Sequence, residues 1–293
     1  MRIVDAHHHI WRRADLPWLL GPTVPRIFGA YDALKRDYPI DEYLEDIAQT
    51  GVEKSVYVQA NWAPNWFVDE VAWVSRVAER SGWPHAISGY VDMTRDDARR
   101  DLDRLSDYPL MRGIRHQMHH HSNPLYRFAS DAQVVGSDAV IANVRRLAGY
   151  EWVFELQVFA HQVDPALSLV DAAPDVTFVL QHAGMPEDLS VEGKAAWKTR
   201  IAQLAERPNV VAKVSGFGTF LRCNDPDHVR WAVLETVELF GAERCLFGSN
   251  FPIEKLWTDY ASLVSAFKDA VETLSKGERA AVFRATAERV YRI

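Results

Sequence analysis

The first chemistry in the chain sits in one short run, Ile3-Val4-Asp5-Ala6-His7-His8-His9-Ile10-Trp11. Ile3 and Val4 start an apolar strand, and Asp5, His7 and His9 then alternate with Ala6, His8 and Ile10. Residues two apart in a strand point to one side, roughly 6.5–7 Å apart along the backbone. Imidazoles at that spacing can turn toward a single divalent metal. The plain alternative is a strand end carrying solvated histidines. Similar residues follow other apolar runs: His182 after Thr177-Phe178-Val179-Leu180-Gln181, Asn250 in Phe247-Gly248-Ser249-Asn250-Phe251-Pro252, and Arg115 and His116 in Gly113-Ile114-Arg115-His116. A lone strand-end histidine is more often a structural hydrogen-bonding residue. Several at the same end of one sheet make a site.

That sheet must therefore exist. Eight apolar, β-branched runs recur: Arg2–Trp11, Val52–Ala60, His85–Met93, Met111–Met118, Glu151–Phe159, Val176–Gly184, Val210–Gly218 and Arg244–Pro252. Amphipathic stretches with helical spacing lie between them, such as Asp41–Thr50, Val68–Arg80, Asp138–Ala148, Pro226–Phe240 and Asp259–Leu274. Strand then helix, eight times over, predicts an α/β protein of the (β/α)8 TIM-type barrel class, in one domain spanning residues 1–293. Glu278–Tyr291 is expected as a C-terminal helix packed on the outside. No Gly-x-Gly-x-x-Gly follows the first strand, which disfavours a dinucleotide fold. Two connections are long, Arg12–Pro39 after the first strand and His119–Ser130 after the fourth. In such barrels the active site forms at the C-terminal strand ends, where long loops carry function.

Composition narrows the class. A hydrophobic fraction of 48% supports a sizeable core, and a net charge of −7 with interspersed basic residues argues against a nucleic-acid partner. Cys223 and Cys245 lack metal-ligand spacing, and no apolar run approaches a membrane span. A reduced cytoplasmic setting without a signal peptide, and a small-molecule substrate, are the expectations. Homo-oligomerisation is left open.

The motifs Asp5-Ala6-His7-His8-His9-Ile10-Trp11, Gly113-Ile114-Arg115-His116, Gln181-His182-Ala183-Gly184 and Phe247-Gly248-Ser249-Asn250-Phe251-Pro252 together resemble the amidohydrolase superfamily. The resemblance covers the whole chain and points to the branch of lactonases and non-oxidative decarboxylases. Sugar-acid lactonases are the nearest in pattern, with pyrone dicarboxylate lactonase more distant. By that resemblance His7, His9 and His182 match the metal-binding histidines, and Asn250 stands where the family has an aspartate. The resemblance implies hydrolysis of a sugar-acid or other carboxylated lactone, a role in carbohydrate metabolism, and one divalent metal, zinc or manganese, that some members do without. His116 occupies the place of a bridging lysine, and the fifth strand, Phe154-Glu155-Leu156-Gln157, lacks a histidine, so a two-metal site is not expected.

Asn250 is neutral across the pH range and cannot be a general base. Either a metal acidifies the water, as zinc on three histidines does to a pKa of about 7, or His116 or His182 takes the proton near neutrality. Asn250→Asp is then expected to remain active or improve. Arg115 and Lys213 are expected to hold a carboxylate or polarise a carbonyl, the alternative being a barrel-interior ion pair with Glu155. Asn61 and Trp62, after the second strand, suit a hydroxylated ring. Arg12, Arg13 and Arg26 in the first loop are either an anionic-substrate cap or surface charge, and His119-His120-His121 reads as solvated loop histidines. The rivals are a metal-dependent decarboxylase on the same scaffold and a binding protein that lost its chemistry with Asn250.

Overall fold

A computed structural model describes residues 1–293. The eight strands are β1 (Ile3–His8), β2 (Val52–Val58), β3 (Ala86–Gly89), β4 (Met111–Arg115), β5 (Val153–Leu156), β6 (Phe178–Leu180), β7 (Val210–Val214) and β8 (Cys245–Phe247). Each pairs in parallel with the next, giving the order β1-β2-β3-β4-β5-β6-β7-β8. The sheet closes just beyond β8: Asn250 N–H donates to the His7 carbonyl at 2.7 Å and His9 N–H to the Phe251 carbonyl at 2.8 Å. The result is a (β/α)8 barrel, with the closing seam running through site residues.

The main crossover helices are α1 (Ile40–Asp46), α2 (Phe67–Ser81), α3 (Arg99–Ser106), α4 (Asp138–Arg145), α5 (Val163–Ala172), α6 (Val191–Ala205), α7 (Pro226–Phe240) and α8 (Tyr260–Ala270). The expected helical stretches correspond to these with shifted ends. In α2 the residues Phe67, Val71, Val74, Val77 and Ala78 are buried, following helical spacing, and the helix stops at Gly82 in the left-handed region, φ +77°. Asp225 caps α7 by accepting from Asp227 and His228 N–H, and Asp259 caps α8 by accepting from Ser262 N–H. No helix is long and apolar enough to cross a membrane.

Two cores result. The larger fills the layer between strands and helices. The smaller lies inside the barrel, where Val4, Ala6, Val56, Val153, Val179 and Val211 meet Ala287, Val290 and Tyr291 of the terminal helix Thr286–Tyr291. That helix does not lie on the outside, as its amphipathic pattern suggested. It seals the N-terminal end of the barrel, and Tyr291 Oη donates to Glu155 Oε1 at 2.5 Å.

Strict alternation also fails in β1. The pairing register with β2 shifts between Asp5 and His8. Val4 and Ala6 face the barrel interior. Asp5 instead faces the helical layer, accepting from Tyr43 Oη at 2.9 Å, Tyr260 Oη at 2.9 Å and Ser249 Oγ at 2.6 Å. His8 also turns outward and stacks on Tyr43 at 3.9 Å. The irregularity lets His7 return to the inside beside His9. Asp5 is thus the buried tie between β1, β8 and two helices, not a site residue.

Candidate active site

The barrel mouth holds an open cleft. His9 and His182 line its base, and the fully buried His7 ring packs against both. The His7 ring centroid is 5.1 Å from that of His9 and 4.9 Å from that of His182, although His182 comes from the far side of the barrel, after β6. His182 sits in the left-handed region, φ +52°. Gly216, φ +68°, makes room for it: a Cβ there would lie 2.6 Å from His182 Nδ1.

Two of the rings are held from behind. His9 Nδ1 bonds the Val58 carbonyl at 2.7 Å, and His182 Nδ1 pairs with Ser215 Oγ at 2.8 Å. Each keeps Nε2 free of that anchor. Both ring nitrogens of His7 are buried without a protein partner. Burial, reinforced by Arg115 and Lys213 nearby, pushes the His182 pKa down to about 3, and burial holds His7 and His9 well below the usual imidazole value. All three are neutral lone-pair donors at neutral pH. His182 is therefore a poor proton acceptor there, against the expectation that it takes the proton.

This donor set suits a divalent metal. Metal-ligating histidines commonly anchor one nitrogen on a carbonyl or hydroxyl and offer the other, and the orphaned His7 ring needs a partner. The three do not close into a ready-made coordination shell.

Above the histidines the wall divides. On the β4 side, Arg115 is buried and donates to the Gln59 carbonyl at 3.1 Å and to Gln157 Oε1 at 3.0 Å, while its Nε has no partner. No carboxylate lies within salt-bridge distance of it. On the β8 side stands Asn250, φ +57°, whose Nδ2 donates to the buried Glu254 Oε1 at 3.4 Å. Glu254 Oε2 accepts from Trp257 Nε1 at 2.7 Å, and burial raises its pKa to about 7. His228, from the first turn of α7, completes this side with neither ring nitrogen partnered; burial lowers its pKa to about 4. No aspartate or glutamate lies on the wall of the cleft.

The long first loop forms the roof. It is pinned at its root by paired backbone bonds between Trp11 and Tyr38, both 2.9 Å. Trp18 Nε1 donates to the Ala60 carbonyl at 3.0 Å, Tyr31 Oη donates to the Trp18 carbonyl at 3.1 Å, and Arg26 lies over Trp18 at 5.1 Å. Trp18, Arg26 and Phe28 line the cleft.

Several expected site residues lie elsewhere. Lys213 is fully buried inside the barrel and pairs with Glu155 at 2.8 Å. It is a fold residue, held by the ion pair that was the alternative. His116 faces away from the cleft: its Nδ1 accepts from Met93 N–H at 3.1 Å and its ring abuts Tyr90. Trp62 packs on Trp73 at 6.0 Å, beneath Arg12, outside the cleft. Asn61 does line it, its Oδ1 accepting from Gln59 Nε2 at 3.2 Å. His119 is not a solvated loop residue; it is buried against Phe128 and Phe159. Gln59, Gln157, His228 and Glu254 went unremarked in the sequence, since no motif flags a strand-end glutamine or an acid one turn past a motif.

The family model described as amidohydrolase matches residues 4–293. The chain is 32% identical to the uncharacterized protein y4mH of Sinorhizobium fredii, over 99% of this chain and 98% of that one. It is 27% identical to an L-fucono-1,5-lactonase of Burkholderia ambifaria, over 99% and 95% of the two chains. Among solved structures it superposes on a Burkholderia multivorans amidohydrolase crystallised with bound zinc, TM-score 0.83, 26% identity, with both chains fully covered.

Proposed function

We propose that this chain, which belongs to the amidohydrolase family, opens the ring of a sugar-acid or other carboxylated lactone by attack of water on the carbonyl. One observation carries the reading: neutral His9 and His182, packed on the buried His7, line a cleft with the unpaired Arg115 and no carboxylate on its wall. Ring opening generates a carboxylate, and a desolvated guanidinium favours that developing negative charge over the neutral lactone. The similarity to an L-fucono-1,5-lactonase supports the same reaction class.

The steps assigned to the chain are these. Arg115, fixed by Gln59 and Gln157, receives the carbonyl oxygen as it gains charge, or the substrate's own carboxylate. His7, His9 and His182 would hold one divalent metal, zinc or manganese, and the zinc of the Burkholderia multivorans neighbour supports that assignment. A metal bound there supplies Lewis acidity toward the carbonyl or the water. The Asn250 carbonyl oxygen accepts a hydrogen bond from the attacking water and orients it; as the acyl–oxygen bond breaks, one proton of that water goes to the departing ring oxygen and the acid formed loses the other to solvent. Trp18 and Phe28 exclude bulk water from above.

A second reading has its own observation. Trp18, Phe28, Phe217 and Phe220 make the upper cleft aromatic, which suits an aromatic acid and hence a decarboxylase. A panel of lactones followed by proton release, and aromatic acids followed by carbon dioxide release, both with and without zinc or manganese, separates the two. Proton release on lactones alone supports the proposal; carbon dioxide alone replaces it.

A further inference from the structure

Asn250 stands where an acid would be the simpler choice for activating water, yet a carboxylate is present one turn later. Glu254 is buried behind Asn250, away from the cleft wall. Three donors surround its oxygens. Trp257 Nε1–H donates to Oε2 at 2.7 Å, Asn250 Nδ2 donates to Oε1 at 3.4 Å, and the Gly218 backbone N–H is also directed at the carboxylate. A Cβ at Gly218 would come within 2.6 Å of Oε2, so the group is clamped between the β7 and β8 loops. No cation pairs with it; the adjacent Lys255 turns away to Glu42 and Asp46.

Donor and acceptor inventory then decides which way the amide of Asn250 points. At pH 8, above the value of about 7 to which burial raises it, Glu254 is mostly ionised, and a carboxylate only accepts; it therefore takes the NH2 group of Asn250 and leaves Oδ1 for the cleft. We infer that Glu254 is a positioning residue that locks the Asn250 amide with its carbonyl oxygen toward the reacting water, and that Asn250 and Glu254 form one acid–amide pair whose members cannot be exchanged singly. Asn250 is the catalytic member of the pair, and that part rests on the lactonase reading. The pairing itself does not.

The inference reverses the expectation that Asn250→Asp is benign. A second carboxylate facing Glu254 leaves two buried acids that repel or must share a proton. Glu254→Gln fails differently. Trp257 can only donate, so the Gln oxygen must accept from it and the Gln NH2 must face Asn250. Asn250 then flips and offers the cleft a donor instead of an acceptor. Exchanging both, Asn250→Asp with Glu254→Gln, restores a donor behind an acceptor.

The test compares wild type, N250D, E254Q and N250D/E254Q at pH 8 with a chelator present for the stability arm. N250D is expected to lose roughly 5–10 °C in Tm, with the double variant recovering most of it. N250D as stable as the double variant would overturn the pairing. In lactone hydrolysis E254Q is expected to lose about 10²-fold in kcat with KM within about twofold, the signature of a mis-set group acting in the transition state, and the double variant to regain at least about tenfold over E254Q. E254Q with wild-type kcat would overturn the positioning role. Wild type inert on every lactone would overturn the proposed reaction instead, and the Tm comparison would still decide the pairing.

Discussion

The barrel interior and the cleft above it treat buried charge in opposite ways. In the interior Lys213 and Glu155 pair at 2.8 Å, and Glu155 also accepts from Gln181 Nε2 at 3.0 Å and Tyr291 Oη at 2.5 Å. At the cleft Arg115 has two neutral acceptors and a bare Nε, and His7 and His228 have ring nitrogens with no partner. Both regions are inside the protein, so both had desolvation to offset. The Lys213–Glu155 pair offsets it internally. Arg115 is left for a ligand to offset, and that difference separates this structural ion pair from the binding site although both hold a buried cation.

The comparison breaks most visibly at the interior ion pair. Lys213→Met leaves Glu155 buried without its cation and is expected to cost about 3–5 kcal/mol of stability, read as a lower urea midpoint. Lys213→Met with Glu155→Leu should recover most of that loss, because two apolar groups fill the space without an orphaned charge.

Acid sharpens the contrast on the histidine side. Folding holds His182 and His119 down to about 3 and His228 down to about 4, below their usual value near 6.5. Between those limits the unfolded chain binds more protons. The stability these neutral imidazoles contribute is fully present above pH 6.5 and is lost as pH falls toward 3–4. Each such histidine adds a slope of up to about 1.4 kcal/mol per pH unit. Buried Glu254 and Glu70, raised to about 7, contribute the opposite slope, so the histidine part is read as a difference: urea titrations of metal-free wild type and His119→Phe, a change outside the cleft, at pH 7.5, 6.0 and 5.0 should show the variant losing less stability toward acid. A slope unchanged by that substitution would contradict the burial argument.

Smaller effects follow. Tyr291→Phe removes one donor from Glu155 and should cost about 1–2 kcal/mol with turnover unchanged. Arg26→Ala, in the roof, should alter stability by no more than about 0.5 kcal/mol while raising KM for anionic lactones more than for neutral ones. An equal KM for both would make Arg26 packing on Trp18 and nothing else.

Which parts could be read from the chain follows from range. The strand runs, the helix faces and the long loop after β1 are local patterns, and each reappears in the fold. The convergence of His7 and His9 was legible because they sit two apart, although strict alternation would also have brought Asp5 to the same side. The register shift that prevents this depends on the pairing of β1 with β2, which no local pattern encodes. Lys213 stayed open between a substrate contact and an ion pair with Glu155, because that partner lies 58 residues away and only the folded barrel decides between them. The terminal helix is amphipathic on either surface, so its pattern could not tell the outer wall from the barrel floor. Glu254 and His228 carry no such signal for a related reason: one stands on the single helical turn Glu254–Leu256 and the other in the first turn of α7, where no periodicity points inward.

Arg115→Met gives the most direct test of the central claim that unpaired charge at the mouth serves chemistry. Stability by urea denaturation and proton release on a carboxylated lactone would be measured on the same sample. Stability should fall by no more than about 2 kcal/mol, since Met orphans only the neutral acceptors of Gln59 and Gln157 and no opposite charge, while kcat/KM falls by about 10²–10³-fold. A variant that unfolds like Lys213→Met, or one that turns the lactone over at the wild-type rate, would contradict the account.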